Sequence, residues 1–344
     1  MASLATAHEH MIHPLAMAGQ STDNFLLDSA HHGGLKTRAS RATWADNRTV
    51  RDGQPTARCL PTAGPARCGV MAVMTDKVQA RLGTVQQTLF IPLAGRARET
   101  RKKRPVLRDP KAVEIVESVD FDTAKYGRDW GGVVTVLRTA IFDWWVRAFL
   151  AEHPAGTVVE IGTGLNTRFD RVDNGQVHWI DLDLPDTIEL RRKFFADSAR
   201  RRMVAASVLD DDWLPAVEDS PGPYFFAADG VLTYLSQAPE VLARIAARFP
   251  GALIAIDTYD RKMLERQHQM AAKKGMEARW AWSCDDPRSL ESLGLDVVEA
   301  AAVTRPPGGL RAQLPPRYRY LLPLASRSLG DVAAVTLFRA RAGS

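Results

Sequence analysis

Hydrophobic and polar positions fall into three regimes along this chain. Residues 1–70 hold no sustained period of 3.6 or 2, and only Phe25 and Trp44 are aromatic. From about residue 75 the spacing turns helical, and it predicts helices over Thr75–Leu89, Asp109–Glu117 and Gly132–Glu152. The third carries Val133, Val136, Leu137, Ala140, Ile141, Trp144, Trp145, Ala148 and Phe149 on one broad face. Beyond it, short apolar runs alternate with helical stretches. The runs are Thr157–Ile161, Val177–Leu182, Met203–Ser207, Tyr224–Ala228, Ala252–Asp257, Leu295–Ala301 and Val332–Phe338. Strands alternating with helices imply an α/β fold with a mostly parallel sheet covered on both faces. The last two runs have no evident helix between them, because Arg305–Pro316 is full of Pro and Gly. An antiparallel final strand accommodates that. No internal repeat is visible.

Composition sharpens the boundaries. In 344 residues, 45% are hydrophobic and 25% charged, ordinary globular values. The first seventy residues cannot bury enough apolar area to offset their ordering entropy. Residues 1–72 are therefore expected to be a disordered or low-complexity tail, with a domain over 73–344. Met71 and Met74 stand where ordered sequence begins, so an alternative start of translation there is an expectation. Within the domain, 73–152 is expected as a helical cap and 153–344 as the sheet, with a substrate insert near 259–283. The tail's His8, His10, His13, His31 and His32 lack supporting ligands, so no metal site is expected. Cys59, Cys68 and Cys284 are too few for a disulfide framework or four-ligand zinc, which suggests a reducing, cytoplasmic compartment. No run of eighteen apolar residues and no secretory leader are present, so neither a membrane nor secretion is expected.

Charge changes the picture little. The formal net charge is +5, divided as +2 in the tail and +3 in the domain, and the pI is near 9.2. The basic run Arg96–Arg104 contains no aromatic residue, which disfavours nucleic acid as a partner. It reads as a solvated helix face or as a partner for an anionic ligand.

Candidate chemistry sits at the ends of the apolar runs. Val158–Phe169 reads VVEIGTGLNTRF, where Gly162 and Gly164 allow a ligand close to the backbone. A dinucleotide fingerprint needs a third glycine where Thr167 stands, so a pyrophosphate clamp is disfavoured. The second run ends WIDLDLPDTIELRR, with Asp181 and Asp183 at its tip. A carboxylate there can accept both hydroxyls of a ribose, and Asp183 could equally cap the following helix. Acids recur in SVLDDDW (Asp210–Asp212) and in AADGVLTYL (Asp229). Acidic groups at successive strand tips outline one elongated, nucleoside-shaped site.

The segments EIGTGLNTRF, IDLDLP, SVLDDDW and AADGVLTYLS, in this order and spacing, resemble bacterial polyketide-synthesis O-methyltransferases of the tetracenomycin type. Those belong to the leucine carboxyl methyltransferase superfamily of class I S-adenosylmethionine enzymes. The resemblance extends from roughly Thr75 to Arg339 and implies a Rossmann-like, seven-stranded sheet with a helical cap. It implies that Glu160, Gly162 and Gly164 form the loop under the methionine part of the cofactor and that Asp183 holds the ribose. Leu209, Asp210 and Asp211 would flank the adenine, Asp229 would meet the ammonium, and Arg138 the methionine carboxylate. A second basic residue ahead of Asp109-Pro110 belongs to the pattern, and Arg98 or Arg101 can fill it. Thr163, Asn166 and the AADG sequence depart from the pattern in residues that preserve cofactor binding.

The resemblance implies methyl transfer to oxygen on a small secondary metabolite, an aromatic polyketide acid or phenol. A phenol benefits from a general base and a carboxylate needs none. Tyr234, Tyr259 and His268 are the candidate bases near the expected mouth, with Asp257 beside them, while His153 and His178 lie away from it. The lack of an evident histidine favours a carboxylate. In the insert, Met263, Met270, Met276 and Ala278–Ser283 (ARWAWS) suit either a flat guest or plain core. Arg311, Arg317 and Arg319 suit either a carboxylate clamp or a solvated loop. Rival readings are methyl-esterification of a protein C-terminus, a nicotinamide dehydrogenase, and a non-catalytic nucleic-acid-binding or regulatory module. The sequence does not indicate an oligomeric state.

Overall fold

The computed structural model describes residues 86–120, 130–273, 278–329 and 333–342. The chain divides between Met71 and Ala72, and every described residue belongs to the second unit. The expected tail, its histidines, Met71, Met74, Met276 and most of the Thr75–Leu89 helix lie outside the described residues.

Each apolar run is a strand, displaced by at most two residues from its expected start. They are β1 (Thr157–Ile161), β2 (His178–Asp183), β3 (Arg201–Ala205), β4 (Tyr224–Ala228), β5 (Leu253–Thr258), β6 (Leu295–Ala302) and β7 (Ala334–Ala340). Their order is β3-β2-β1-β4-β5-β7-β6. The first five pair in parallel, and β7 inserts antiparallel between β5 and β6. The α/β sheet is thus seven-stranded, mixed and mostly parallel, as the alternation of strands and helices implied. The chain reverses direction across the sheet at β1, so a crevice opens at the carboxyl ends of β1 and β4.

Strand alternation feeds two cores, since successive side chains leave opposite faces. Val159, Ile161, Phe226, Ala228, Ile254 and Ile256 meet α7 (Ala238–Arg248) through Val241, Leu242 and Ile245, together with Trp213 before α6 (Leu214–Glu218). Val158, Phe225, Ala227 and Ala255 meet α3 (Trp130–Glu152) through Leu137, Ile141, Phe142, Trp145 and Phe149. All five residues of β1 are buried, as a central parallel strand covered on both faces requires.

A third core places the cap. Phe90, Leu93 and Ala97 of α1 (Phe90–Thr100) and Ala112 and Ile115 of α2 (Pro110–Ser118) close on Leu165, Ile188, Phe195 and Met203. Leu165 belongs to the loop after β1, and Ile188 to α5 (Pro185–Arg191), so the cap packs directly over the strand ends. Asp109 starts α2 as its N-cap, with Pro110 pre-set for the first turn.

The expectation of no helix between the last two strands is corrected. α9 (Gly308–Gln313) and α10 (Pro316–Leu329) fill that connection. Glycines begin α9, and a proline begins α10, positions that tolerate them, while Leu310, Leu314, Tyr318 and Leu322 bury into the α3 core. Tertiary burial overrides the local composition there. Among the described residues no helix is long and apolar enough to cross a membrane.

Candidate functional site

A cavity of about 550 Å³ lies at the carboxyl ends of the parallel strands. Its wall runs across the sheet in strand order. Ala206–Leu209 after β3, Leu182–Leu184 after β2, Ile161–Asn166 after β1, Asp229–Val231 and Thr233–Leu235 after β4 and Tyr259 after β5 all contribute. Four strand spacings of roughly 4.8 Å make this an elongated crevice of about 19 Å. Thr88, Leu89, Ile91, Pro92 and Arg96 of the cap, with Thr135 and Arg138 of α3, close it from above.

The loop after β1 is shaped by glycine. Gly162 has φ +60°, and a Cβ there would stand 2.3 Å from Val231 Cγ2, so only glycine fits. Gly164, at φ +49°, lies beneath Leu89 and offers its N–H to Asp183 at 2.7 Å. Asp183 also accepts from Leu184 N at 2.8 Å. One backbone bond on each oxygen leaves each with a further lone pair. Leu184, not Asp183, is the N-cap of α5, and it makes no side-chain cap, so the capping alternative falls away. Burial pushes the Asp183 carboxyl up, against the pull of its two backbone bonds.

Asp181, two residues earlier, is a structural hub instead. It is 1% exposed and takes Arg191 Nη2 at 2.9 Å, Arg201 Nε at 2.8 Å, Thr163 Oγ1 at 2.8 Å and Trp179 Nε1 at 3.1 Å. Arg191 meanwhile donates to the carbonyls of Gly164 and Asn166, both at 2.8 Å, and fixes the loop from behind.

A buried ion-pair network underlies the other end of the crevice. Asp229 meets Arg138 Nε at 2.6 Å and Arg168 Nη2 at 2.8 Å. Arg138 continues to Asp257 and to the Tyr259 hydroxyl, each at 2.8 Å. Arg168 of α4 (Arg168–Val172) also binds Glu160, and its Nε meets Asp143 at 2.9 Å. Burial opposes the Asp229 charge, but Arg138 and Arg168 outweigh it and hold that carboxyl below its usual value. Glu160 is pushed up by burial and keeps one buried oxygen, Oε2, without a hydrogen-bond partner. Across this network Asp109, Asp143, Glu160, Asp229 and Asp257 pair with Arg96, Arg138, Arg168 and Arg171, and Arg147 adds a further cation near Asp143.

The structure brings Gly162, Gly164, Asp183, Leu209, Asp229, Arg138, Tyr234 and Tyr259 into one wall. It leaves other expected residues outside. Asp210 and Asp211 are exposed, and Asp211 pairs with Arg244 at 3.1 Å, so of the three expected adenine neighbours only Leu209 meets the cavity. Glu160 lies behind the loop on Arg168, not in the wall. Arg98 and Arg101 do not line the cavity, and Arg101 is an exposed partner of Glu117. The basic residue that does line it is Arg96, 2% exposed, donating to Asp109 at 2.8 Å and to Leu165 O at 3.0 Å. Arg96 lies one helical turn after Leu93 and adjacent to Ala97 on the buried side of α1, the signal that separates it from the rest of the run.

The candidate bases separate likewise. His268 binds Trp280 O at 2.8 Å and does not line the cavity. Tyr259 lines it, but burial raises its phenol well above the usual range and disfavours a phenolate. Asp257 is spent on Arg138 and on Gly230 N at 2.8 Å. Of the insert, Trp280 lines the cavity, its ring 4.2 Å from that of Tyr259, while Met263 packs in the core and Met270 is exposed. Arg317 and Arg319 donate to the carbonyls of Arg104 and Leu314, and Arg311 is exposed, so none forms a clamp at the cavity.

The model of the leucine carboxyl methyltransferase family matches residues 90–246. Over 216 residues the chain is 33% identical to the tetracenomycin polyketide synthesis O-methyltransferase TcmP of Streptomyces glaucescens, spanning 62% of this chain and 80% of the relative. It is 26% identical over 251 residues to the S-adenosyl-L-methionine-dependent methyltransferase dpfgK of Gibberella zeae, spanning 63% and 81%. Among solved structures, a Thermobifida fusca protein described as a methyltransferase overlaps 65% of this chain and 91% of its own, at 19% identity and a TM-score of 0.47. The side chains fit the S-adenosylmethionine that such enzymes use. The cradle at Gly162 would be filled by a Cβ, and Asp183 keeps a lone pair on each oxygen for a vicinal diol.

Proposed function

The chain belongs to the leucine carboxyl methyltransferase family of S-adenosylmethionine-dependent methyltransferases, and from that premise we propose that it methylates a carboxylate oxygen of a flat aromatic acid of the polyketide kind. The observation that carries this reading is the far end of the crevice. Tyr234, Tyr259 and Trp280 gather there beyond the glycine loop, and among the described residues no histidine or lysine lines the cavity.

S-adenosylmethionine supplies an activated methyl on a sulfonium, so the electronic difficulty is met by the cofactor. The chain's own work is to hold and align. Asp183 accepts both ribose hydroxyls, and Leu209 covers the adenine side. Arg96, in place of the expected Arg98 or Arg101, takes the position of the family's second basic residue and, with Arg138, receives the methionine carboxylate. Asp229, with Arg138 behind it, faces the ammonium. The aromatic wall orients an acceptor toward the methyl, where a reacting distance of roughly 3–3.5 Å is needed. A carboxylate arrives ionised and needs no base, which suits a wall whose phenol at Tyr259 is held protonated.

Incubation with labelled S-adenosylmethionine and aromatic acids such as 1-hydroxy-2-naphthoate tests the reading. Methyl label released by mild alkali is the expected result. Label that survives alkali identifies an ether and overturns the choice of carboxylate.

A further inference from the structure

Asp109 does two jobs with its two oxygens. Oδ1 caps α2 by accepting Ala112 N–H at 2.9 Å. Oδ2 gathers Arg96 Nε at 2.8 Å, Arg171 Nη1 at 3.0 Å and the hydroxyl of Thr167. Capping alone does not require a charge, since Asn and Ser cap as well as Asp. Burying a carboxylate at 1% exposure is costly unless it is paired, so the charge answers to the Oδ2 side.

The three partners on that side differ in their dependence on Asp109. Arg171 is held independently by Asp143, at 2.7 and 3.0 Å. Thr167 closes the loop that begins at Gly162. Among the described residues Arg96 has one other side-chain bond, to Leu165 O, and burial works against its charge. Of the groups on Oδ2, Arg96 is both the one that lines the cavity and the one whose place rests most on this carboxylate.

We propose that Asp109 is a positioning residue which, acting through Arg96, sets affinity for the anionic amino-acid end of the cofactor. It joins the cap to the glycine loop, so a cap helix start and a cofactor contact are built on one side chain. The inference rests on the reading that Arg96 receives the methionine carboxylate.

Asp109→Asn separates the two jobs, because it keeps the cap and the volume and removes the charge. Calorimetry of the wild type, Asp109→Asn, Arg96→Met and the double variant is read with two probes. S-adenosylhomocysteine carries the amino-acid end, and 5′-methylthioadenosine lacks it. Asp109→Asn is expected to weaken S-adenosylhomocysteine about ten- to a hundredfold, the worth of one charge-assisted hydrogen bond. The double variant is expected to bind no worse than Arg96→Met, and 5′-methylthioadenosine to bind all four proteins alike. Unchanged S-adenosylhomocysteine affinity, additive losses in the double variant, or equal weakening of both probes overturns the proposal. A wild type that binds neither probe is a different result, and it sinks the cofactor assignment itself.

Discussion

Gly162→Ala places a methyl group where the fold has reserved none. At φ +60° a residue with a Cβ pays about 1–2 kcal/mol in backbone strain. The new Cβ would also sit 2.3 Å from Val231 Cγ2 and 2.7 Å from Cγ1, contacts that force Val231 to move. Overpacking of this kind costs roughly 1–3 kcal/mol, for a total of about 2–5 kcal/mol. Domains of this size hold ~5–15 kcal/mol, so the variant is expected to fold with reduced stability. Val231 lines the crevice, so its displacement narrows the bed beneath the cofactor and weakens S-adenosylhomocysteine binding. Val231→Ala removes both γ carbons, leaving only its own Cβ at 3.1 Å. Combined with Gly162→Ala it is expected to recover the overpacking part and leave the φ strain of about 1–2 kcal/mol. Urea unfolding of the two single variants and the double variant measures the coupling, and calorimetry measures binding. Strictly additive destabilisation, or wild-type affinity in Gly162→Ala, would refute the steric argument.

Three further outcomes are expected. Asp183→Ala removes the proposed ribose acceptor and is expected to weaken S-adenosylhomocysteine about ten- to a hundredfold by calorimetry; equal affinity contradicts the assignment. Trp280→Ala is expected to raise the acceptor KM about tenfold with the cofactor Kd unchanged, whereas Tyr259→Phe is expected to keep kcat within about threefold, because a general base contributes ~100-fold or more and none is invoked. Asp143 is buried, yet Arg171 and Arg168 hold its carboxyl down at about 2. A folded value below the unfolded one stabilises above pH ~4, and that stability is lost as pH falls toward 2, by about 2 kcal/mol. Urea midpoints from pH 6 to 2 should show a shallower acid limb in Asp143→Asn, and an unchanged limb would count against the arginine pairing.

The division of labour between sequence and tertiary structure is visible residue by residue. Apolar runs bounded by turn residues located all seven strands, both those buried on both faces like β1 and those alternating like β6. The glycine pair and an acid at the tip of β2 were legible for a similar reason. Positive φ and a carboxylate at a strand tip are local requirements, and the chain spells them out. Strand position alone did not distinguish Asp181 from Asp183, since both end one strand, and only the family resemblance pointed to Asp183. Only the fold surrounds the first with Arg191, Arg201, Thr163 and Trp179 and leaves the second facing the crevice. Similarly, the basic run offers several arginines, and packing of α1 against Leu165 and Asp109 selects Arg96 while Arg101 goes to solvent. Local composition read Arg305–Pro316 as loop, and burial of Leu310, Leu314 and Tyr318 against α3 made helices of that connection. The sequence by itself determined the strands, the turns and the class of chemistry, which are set by neighbours along the chain. Which charge lines the crevice was decided by tertiary structure alone, because the energy of a buried charge depends on partners tens of residues away.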